Sequence, residues 1–211
     1  MSGYGPDEFQ QDLGLNVSRE TLTRLETHRR LLAEWSDRMN LVGPKELDLF
    51  WSRHALDSAQ VLQLAPTAKR WVDLGSGAGF PGLILAAFLA EQPDTSVHLV
   101  ESTGKKARFL EAVAEEAGLP VRVFNLRIEA FRAGQGRYEV VTARALAPLP
   151  RLIAYAKPIL DRGATGLFHK GADLDAELAA AKGILGGVYQ ADVLESLSDP
   201  RGRIVRVTRV P

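Results

Sequence analysis

The stretch Val72-Asp73-Leu74-Gly75-Ser76-Gly77-Ala78-Gly79-Phe80-Pro81-Gly82 decides the fold: an apolar strand ending in an acid, a loop with four glycines, and a helix beginning at a proline. Glycines at 75, 77, 79 and 82 are expected to permit positive φ and to leave space for a ligand against the main chain. The pattern predicts a loop that holds a nucleoside cofactor.

Two cofactor classes use such a loop. Gly77-x-Gly79-x-x-Gly82 satisfies the dinucleotide fingerprint, with a strand before it and a helix after it. Asp73 argues against that reading, because a carboxylate at the loop entrance repels a pyrophosphate docking at the helix N-terminus. S-adenosylmethionine carries a sulfonium and an ammonium and no phosphate, so the same acid attracts it. The next strand, Ser96-Val97-His98-Leu99-Val100-Glu101, ends in a second acid 22 residues after Gly79. Glu101 there can accept hydrogen bonds from both ribose hydroxyls, with Ser102 beside it. That feature suits either cofactor, so Asp73 tips the reading to the methyl donor.

Composition narrows the class. A chain of 211 residues, 45% hydrophobic, suffices for one well-buried domain plus a smaller attachment. No apolar run of membrane-spanning length and no basic, apolar leader is visible, so a soluble, cytoplasmic protein without a membrane partner is expected. Cysteine is absent, which excludes disulfides, thiolate metal sites and a cysteine nucleophile. Four scattered histidines lack metal-ligand spacing, so no metal is expected. Net charge is zero, yet residues 101–170 carry twelve basic and seven acidic side chains, a surplus of five. Such a segment can form a face that tracks a phosphate backbone, or simply solvated helix surfaces. The oligomeric state is left open, with a monomer as the default.

Ser18 is a plausible N-cap for a helix running to Met39, with Leu22, Leu25, Leu32, Trp35 and Met39 at helical spacing. Gly43-Pro44 breaks it, and helical patterns follow over 45–53 and 56–64. Residues 1–66 therefore read as an N-terminal helical cap, and 67–211 as an α/β domain. Strands are expected at 70–74, 96–101, 121–125, 138–143, 164–169, 187–194 and 203–210, with helices at 81–91, 104–117, 148–160 and 173–185. This alternation implies a mainly parallel, doubly wound, Rossmann-like sheet with ligands at the carboxyl ends of its strands. The short connection 196–202 predicts a terminal antiparallel hairpin at the sheet edge, the class I methyltransferase arrangement.

Polar residues end the later strands. Asn125 to Glu129 can read an adenine edge, although Glu129 suits a helix start equally well. Val140-Val141-Thr142-Ala143-Arg144 places Arg144 where a methyl acceptor faces the sulfonium, and an enclosed guanidinium there needs acceptor partners. Its alternative is an ordinary structural ion pair. The fourth strand lacks the Asn/Asp-Pro-Pro-aromatic turn common in amino-group methylation, and carbon-5 methylation of a pyrimidine needs a cysteine. The acceptors that remain include ring nitrogens already nucleophilic at neutral pH, such as guanine N7, for which in-line positioning is the main requirement. Arg144 can donate to guanine O6.

Together these residues resemble the RsmG (GidB) family of small-subunit ribosomal RNA methyltransferases. The resemblance covers most of the chain: residues 35–41, Arg53-His54-Ala55-Leu56-Asp57-Ser58, the loop from Asp73 to Gly82, Glu101-Ser102, Lys105-Lys106-Ala107-Arg108-Phe109-Leu110, Arg127-Ile128-Glu129, the run from Val141 to Leu149, and Lys170-Gly171. It implies methylation of guanine N7 at position 527 of 16S ribosomal RNA, as free RNA or in the small ribosomal subunit, with S-adenosylmethionine as cofactor. Carried over by position, it implies cofactor contacts at Gly75, Phe80, Ile128, Glu129 and Arg144. One departure is Ile128, where the family usually has alanine; a backbone contact tolerates the change, whereas a cavity built for a small side chain would displace the adenine. Arg53, His54 and Asp57 share a helical face and either line the cleft mouth or fasten the cap to the sheet. Lys105, Lys106, Arg108 and Lys170, with Arg53 and His54, are the candidate RNA contacts. The competing readings are a nicotinamide-dependent oxidoreductase and a methyltransferase for a small molecule or a protein.

Overall fold

The computed structural model describes residues 3–39, 41–132 and 137–210, so Asn40 of the 35–41 motif lies outside the described residues. Seven strands form one sheet: β1 (Arg70–Leu74), β2 (Ser96–Val100), β3 (Val121–Phe124), β4 (Val140–Arg144), β5 (Thr165–Lys170), β6 (Tyr189–Glu195) and β7 (Arg203–Arg209). Their order across the sheet is β3-β2-β1-β4-β5-β7-β6. The first five run parallel, while β7 lies antiparallel to both β5 and β6. The order reverses at β1/β4, and a sheet of this kind leaves a ligand crevice beyond the carboxyl ends of the strands at such a point. The expected strands and terminal hairpin are all present, with ends shifted by one or two residues.

Strand periodicity sorts the two faces. Trp71, Val97, Leu99 and Val140 point to one core, and Val72, Leu74, Val100, Val141 and Ala143 to the other. Helices α7 (Leu149–Leu160) and α8 (Leu174–Leu185) cover the second face. On the first face α5 (Gly82–Leu89) and α6 (Gly104–Glu116) pack with the N-terminal helices into a single apolar cluster that includes Phe9, Leu25, Leu32 and Phe50. The N-terminal helices are α1 (Pro6–Leu13), α2 (Arg19–Met39), α3 (Pro44–Asp48) and α4 (Leu56–Ala59).

Ser18 caps α2 as its sequence predicts, its Oγ accepting the Thr21 amide at 2.9 Å. Helix α1 was not expected, although Pro6 at its start, Asp7 and Glu8 in the first turn, buried Phe9 and Leu13 at i and i+4, and Gly14 beyond its end are ordinary helix signals. The two expected helices over 45–64 are instead one continuous path. It passes from α3 through a π-helical turn, Phe50–Ala55, into α4 and a 3₁₀ segment, Gln60–Leu64. The wider turn carries the Arg53-His54 pair, so ideal α-helical spacing does not describe where those side chains go.

Gly82 has no positive φ. What it supplies is closeness: a Cβ there would stand 2.3 Å from Leu99 Cδ2 and 2.9 Å from Asp73 Oδ2. Gly82→Ala is therefore expected to push α5 off the sheet and to cost about 1–3 kcal/mol in urea unfolding.

Candidate active site

Beyond the carboxyl ends of β1, β2 and β4 lies a cleft of about 580 Å³, within the range of cofactor sites. Gly75 and Gly77, both at positive φ, form its floor. Leu146 packs so closely on Gly75 that a Cβ would meet its Cδ1 at 2.6 Å. The remaining glycines of the loop serve packing: a Cβ on Gly79 would lie 2.3 Å from Leu83 Cδ1, and neither Gly79 nor Gly82 lines the cleft.

Glu101 is buried at the end of β2 and borders this cleft. Its Oε2 accepts the Gly77 amide at 3.0 Å and its Oε1 the Thr103 amide at 2.7 Å. A carboxylate has about four acceptor positions, so two remain for a vicinal diol. The two amides also fix the carboxylate before any ligand arrives. Ser102 and Thr103 lie beside it in the cleft wall, followed by Lys106 in the first turn of α6. Asn125 is spent on the scaffold, donating to the Glu101 carbonyl at 2.9 Å. Ile128 and Glu129 do reach the cleft, Ile128 with Leu146 as an apolar wall and Glu129 as an exposed carboxylate accepting the Tyr155 hydroxyl at 3.1 Å.

Asp73 does not stand in the cleft. It is buried behind the loop, where Oδ1 accepts the Thr142 hydroxyl at 2.9 Å and Oδ2 faces the Gly82 amide at 3.3 Å. Its carboxylate thus occupies the N-terminus of α5, the place where a dinucleotide pyrophosphate docks. The argument against a dinucleotide stands, but by occupation of that amide site rather than by a charge presented to the ligand. Burial pushes the Asp73 pKa up to about 6, against the hydrogen bonds from Ser76, Thr142 and Gly82.

Arg144 ends β4 with its side chain 17% exposed. Nη1 donates to Asp57 Oδ2 at 3.2 Å and to the Arg53 carbonyl at 3.5 Å, and Nη2 donates to His54 Nδ1 at 2.7 Å. The guanidinium carbon sits 4.9 Å over the Phe80 ring. Five N–H hydrogens minus these three leave the Nε hydrogen and one on Nη2 without a partner among the described residues. Because His54 Nδ1 accepts, the proton of this imidazole is on Nε2, 3.1 Å from Glu46 Oε2 but too poorly aligned for a hydrogen bond. Burial first, then Arg144 and Arg53, push the His54 pKa down to about 3, so the ring remains a neutral acceptor. Burial opposes ionisation of Asp57 too, but the charges and hydrogen bonds around it, Arg144 among them, hold its pKa below the usual carboxylate range.

The cap thus contributes directly to the site, and sequence reasoning missed several of the residues that connect it. Asp57 Oδ1 accepts from Gln60, Ser196 and Ser198, and His169 Nε2 donates to the Asp57 carbonyl at 2.8 Å. The His28 ring from α2 meets the Ala78 carbonyl at 2.9 Å, and the rings of His28 and His54 both lie against Phe80. Burial drives the His28 pKa down to about 4, so it too is neutral and donates from Nε2. Interior histidines and a serine-rich hairpin turn have no local signature, since their partners lie 50 to 141 residues away, and Gln60, three residues from Asp57, also reaches Ser196 from 136 residues away. Ala145 follows Arg144 at φ 51°. A left-handed alanine costs about 1 kcal/mol, and it turns the chain where Leu146 must fold back over Gly75.

The expected RNA contacts divide. Lys105 and Arg108 are exposed on α6 and Lys106 borders the cleft; Arg53 is exposed beside Glu46, at 3.3 Å. His54 is enclosed behind Arg144. Lys170 is enclosed as well, its Nζ 2.6 Å from Glu177 and 3.1 Å from the Ala147 carbonyl, so it holds the chain after β4 in place. Among the described residues no group of three or more His, Asp or Glu is arranged to hold a metal ion, and no helix is long and apolar enough to cross a membrane.

Comparison with known proteins gives consistent results. The signature of the GidB family, described as rRNA small subunit methyltransferase G, matches residues 21–190. Proteins named ribosomal RNA small subunit methyltransferase G are similar to the chain along most of its length. That of Caulobacter vibrioides is 49% identical, over 96% of this chain and 90% of its own. That of Parvibaculum lavamentivorans is 47% identical, over 91% and 84%. Among solved structures, a SAM dependent methyltransferase from Aquifex aeolicus shares the fold with a TM-score of 0.62 at 16% identity, over 83% of this chain and 98% of that one.

The raised Asp73 pKa has a sign that can be checked. An acid whose folded pKa lies above its unfolded value favours folding less as pH rises from about 4 through 6, and the penalty is constant above that. Relative to an Asp73→Asn variant, the wild-type protein is expected to lose about 1 kcal/mol between pH 5 and pH 8 in paired urea titrations.

Proposed function

This chain belongs to the rRNA small subunit methyltransferase G family, and we propose that it transfers a methyl group from S-adenosylmethionine to N7 of a guanine in 16S ribosomal RNA, at position 527. The observation that carries the reading is a guanidinium held at the end of β4, beside the cofactor cleft, with two N–H hydrogens that have no partner among the described residues.

The residues present fit the cofactor. Glu101 would take the ribose diol with its remaining lone pairs, the apolar wall of Ile128 and Leu146 would hold the adenine, and Gly75 and Gly77 would leave room for the amino acid part against the main chain. When bound, S-adenosylmethionine supplies an electrophilic methyl on sulfur. Guanine N7 has a lone pair and no proton to lose, so the acceptor needs no general base. The site agrees with this: His54 and His28 are held neutral far from pH 7, and Asp57 is saturated with donors. Arg144 then has a positional and electrostatic task, donating to O6 so that N7 aims at the methyl while positive charge moves onto the purine. The exposed cations Lys105, Arg108, Arg127 and Arg151, with the half-buried Lys106, lie on or near the cleft rim and suit the phosphate backbone of ribosomal RNA, free or in the small subunit; a cytoplasmic, monomeric enzyme belongs to the same reading.

The primary test is transfer of labelled methyl to small ribosomal subunits that lack the modification, with the product identified by mass spectrometry. A single N7-methylguanine is expected; no transfer by protein that binds the cofactor would overturn the substrate assignment. Glu101→Ala should weaken cofactor binding by about 1–3 kcal/mol, measured calorimetrically. Arg144→Ala should lower turnover about 100-fold or more even at saturating cofactor, and because it leaves the enclosed Asp57 without its cation it should also lower the unfolding midpoint. Arg144→Lys should not restore it, since an ammonium cannot satisfy His54, Asp57 and a base together.

A further inference from the structure

A second cleft of about 590 Å³ opens on the far side of Arg144. Three distant parts of the chain wall it: Glu46, Arg53, His54 and Asp57 of the cap, the segment after β5, and residues 198–202 of the β6–β7 connection. Among the described residues, Arg144 and Ala145 are the members common to both clefts. The partition between them is the guanidinium itself.

Building on the reading above, we propose that this second cleft receives the acceptor guanine nucleotide, with Glu46 reading the N1–H and N2 amino edge and Arg201 holding the adjoining phosphate. Methyl transfer is in line: the N7–carbon bond forms as the sulfur–carbon bond breaks, and the bonding pair leaves with sulfur. The acceptor must therefore approach from the side opposite the cofactor sulfur, and the second cleft meets the first at Arg144. A base this deep has to be extruded from its stack, and a cleft of this size accommodates one. Guanine offers an acceptor at O6 for a spare N–H hydrogen of Arg144, which leaves the N7 lone pair for the methyl. Adenine sets an amino group at that position.

The neighbouring edge of guanine offers donors and calls for a carboxylate. Asp57 cannot serve, because its two oxygens already accept from Arg144, Gln60, Ser196 and Ser198. Glu46 lies one imidazole ring away from Arg144, is 36% exposed, and has loose contacts with Arg53 at 3.3 Å and with His54 at 3.1 Å. Lys170 is committed to Glu177, which leaves Arg201, 82% exposed with Asp199 at 3.5 Å, as the open cation that the hairpin turn brings to this cleft among the described residues.

The test measures steady-state methyl transfer to unmodified small subunits by wild type, Arg201→Ala and Glu46→Gln, with cofactor Kd and unfolding midpoint recorded for each. Arg201→Ala should raise KM about tenfold and make the salt dependence shallower by about one unit of slope, with cofactor Kd unchanged. Glu46→Gln should lower kcat/KM about tenfold or more, again at unchanged cofactor Kd and midpoint. Normal KM and salt slope in Arg201→Ala together with normal kcat/KM in Glu46→Gln would place the acceptor elsewhere while leaving the methyltransferase reading intact. Wild type that forms no N7-methylguanine removes that reading and this inference with it.

Discussion

The seating of Arg144 is the constraint on which the rest of the site depends. Removing a guanidinium from water costs several kcal/mol unless charge and hydrogen bonds replace the solvent. Every replacement here comes from outside its own strand: a carboxylate, an imidazole nitrogen and a carbonyl from the cap, and the face of Phe80 from the glycine loop. The N-terminal helices are thereby part of the candidate site. They cannot leave the sheet without stranding a buried charge on each side. Asp57 extends the dependence further, since Ser196 and Ser198 of the terminal hairpin and Gln60 hold the carboxylate that holds Arg144.

Charge around this arginine is tuned by burial more than by titration near neutrality. His54 accepts from a cation because desolvation keeps it unprotonated, and a protonated ring would set two positive charges 2.7 Å apart. Asp73 shows the opposite use of burial. It closes the N-terminus of α5 and ties β1 to β4 through Thr142, so the glycine loop is braced from behind while its front face stays open. A site built of fixed donors and neutral acceptors suits a reaction in which charge moves and no proton does.

Much of this was legible beforehand. Strand alternation, glycine loop and acid after β2 are local patterns, and the sheet with its terminal hairpin follows from them. Arg144 was identifiable because it ends a strand at the ligand edge. Helix α1 was legible in its proline, acids and spaced apolar residues, and was overlooked. The path through 45–64 was not legible as built, because α-helical spacing cannot announce a π-helical turn. Lys170 looked like a surface cation in sequence, and its burial against Glu177 depends on α8 folding back over the chain after β4.

The sequence by itself determined the class of fold, the place of the cofactor loop and the carboxylate, Glu101, that borders the cleft, because each is encoded in residues adjacent along the chain. The tertiary structure decided which charges are spent and which are available. Asp73 and Lys170 turn inward, His54 becomes a neutral support, and Glu46 and Arg201 come to face one cleft from segments 155 residues apart. The physical reason is that pKa, hydrogen-bond saturation and exposure belong to a side chain's surroundings, and those surroundings exist only once distant segments have packed.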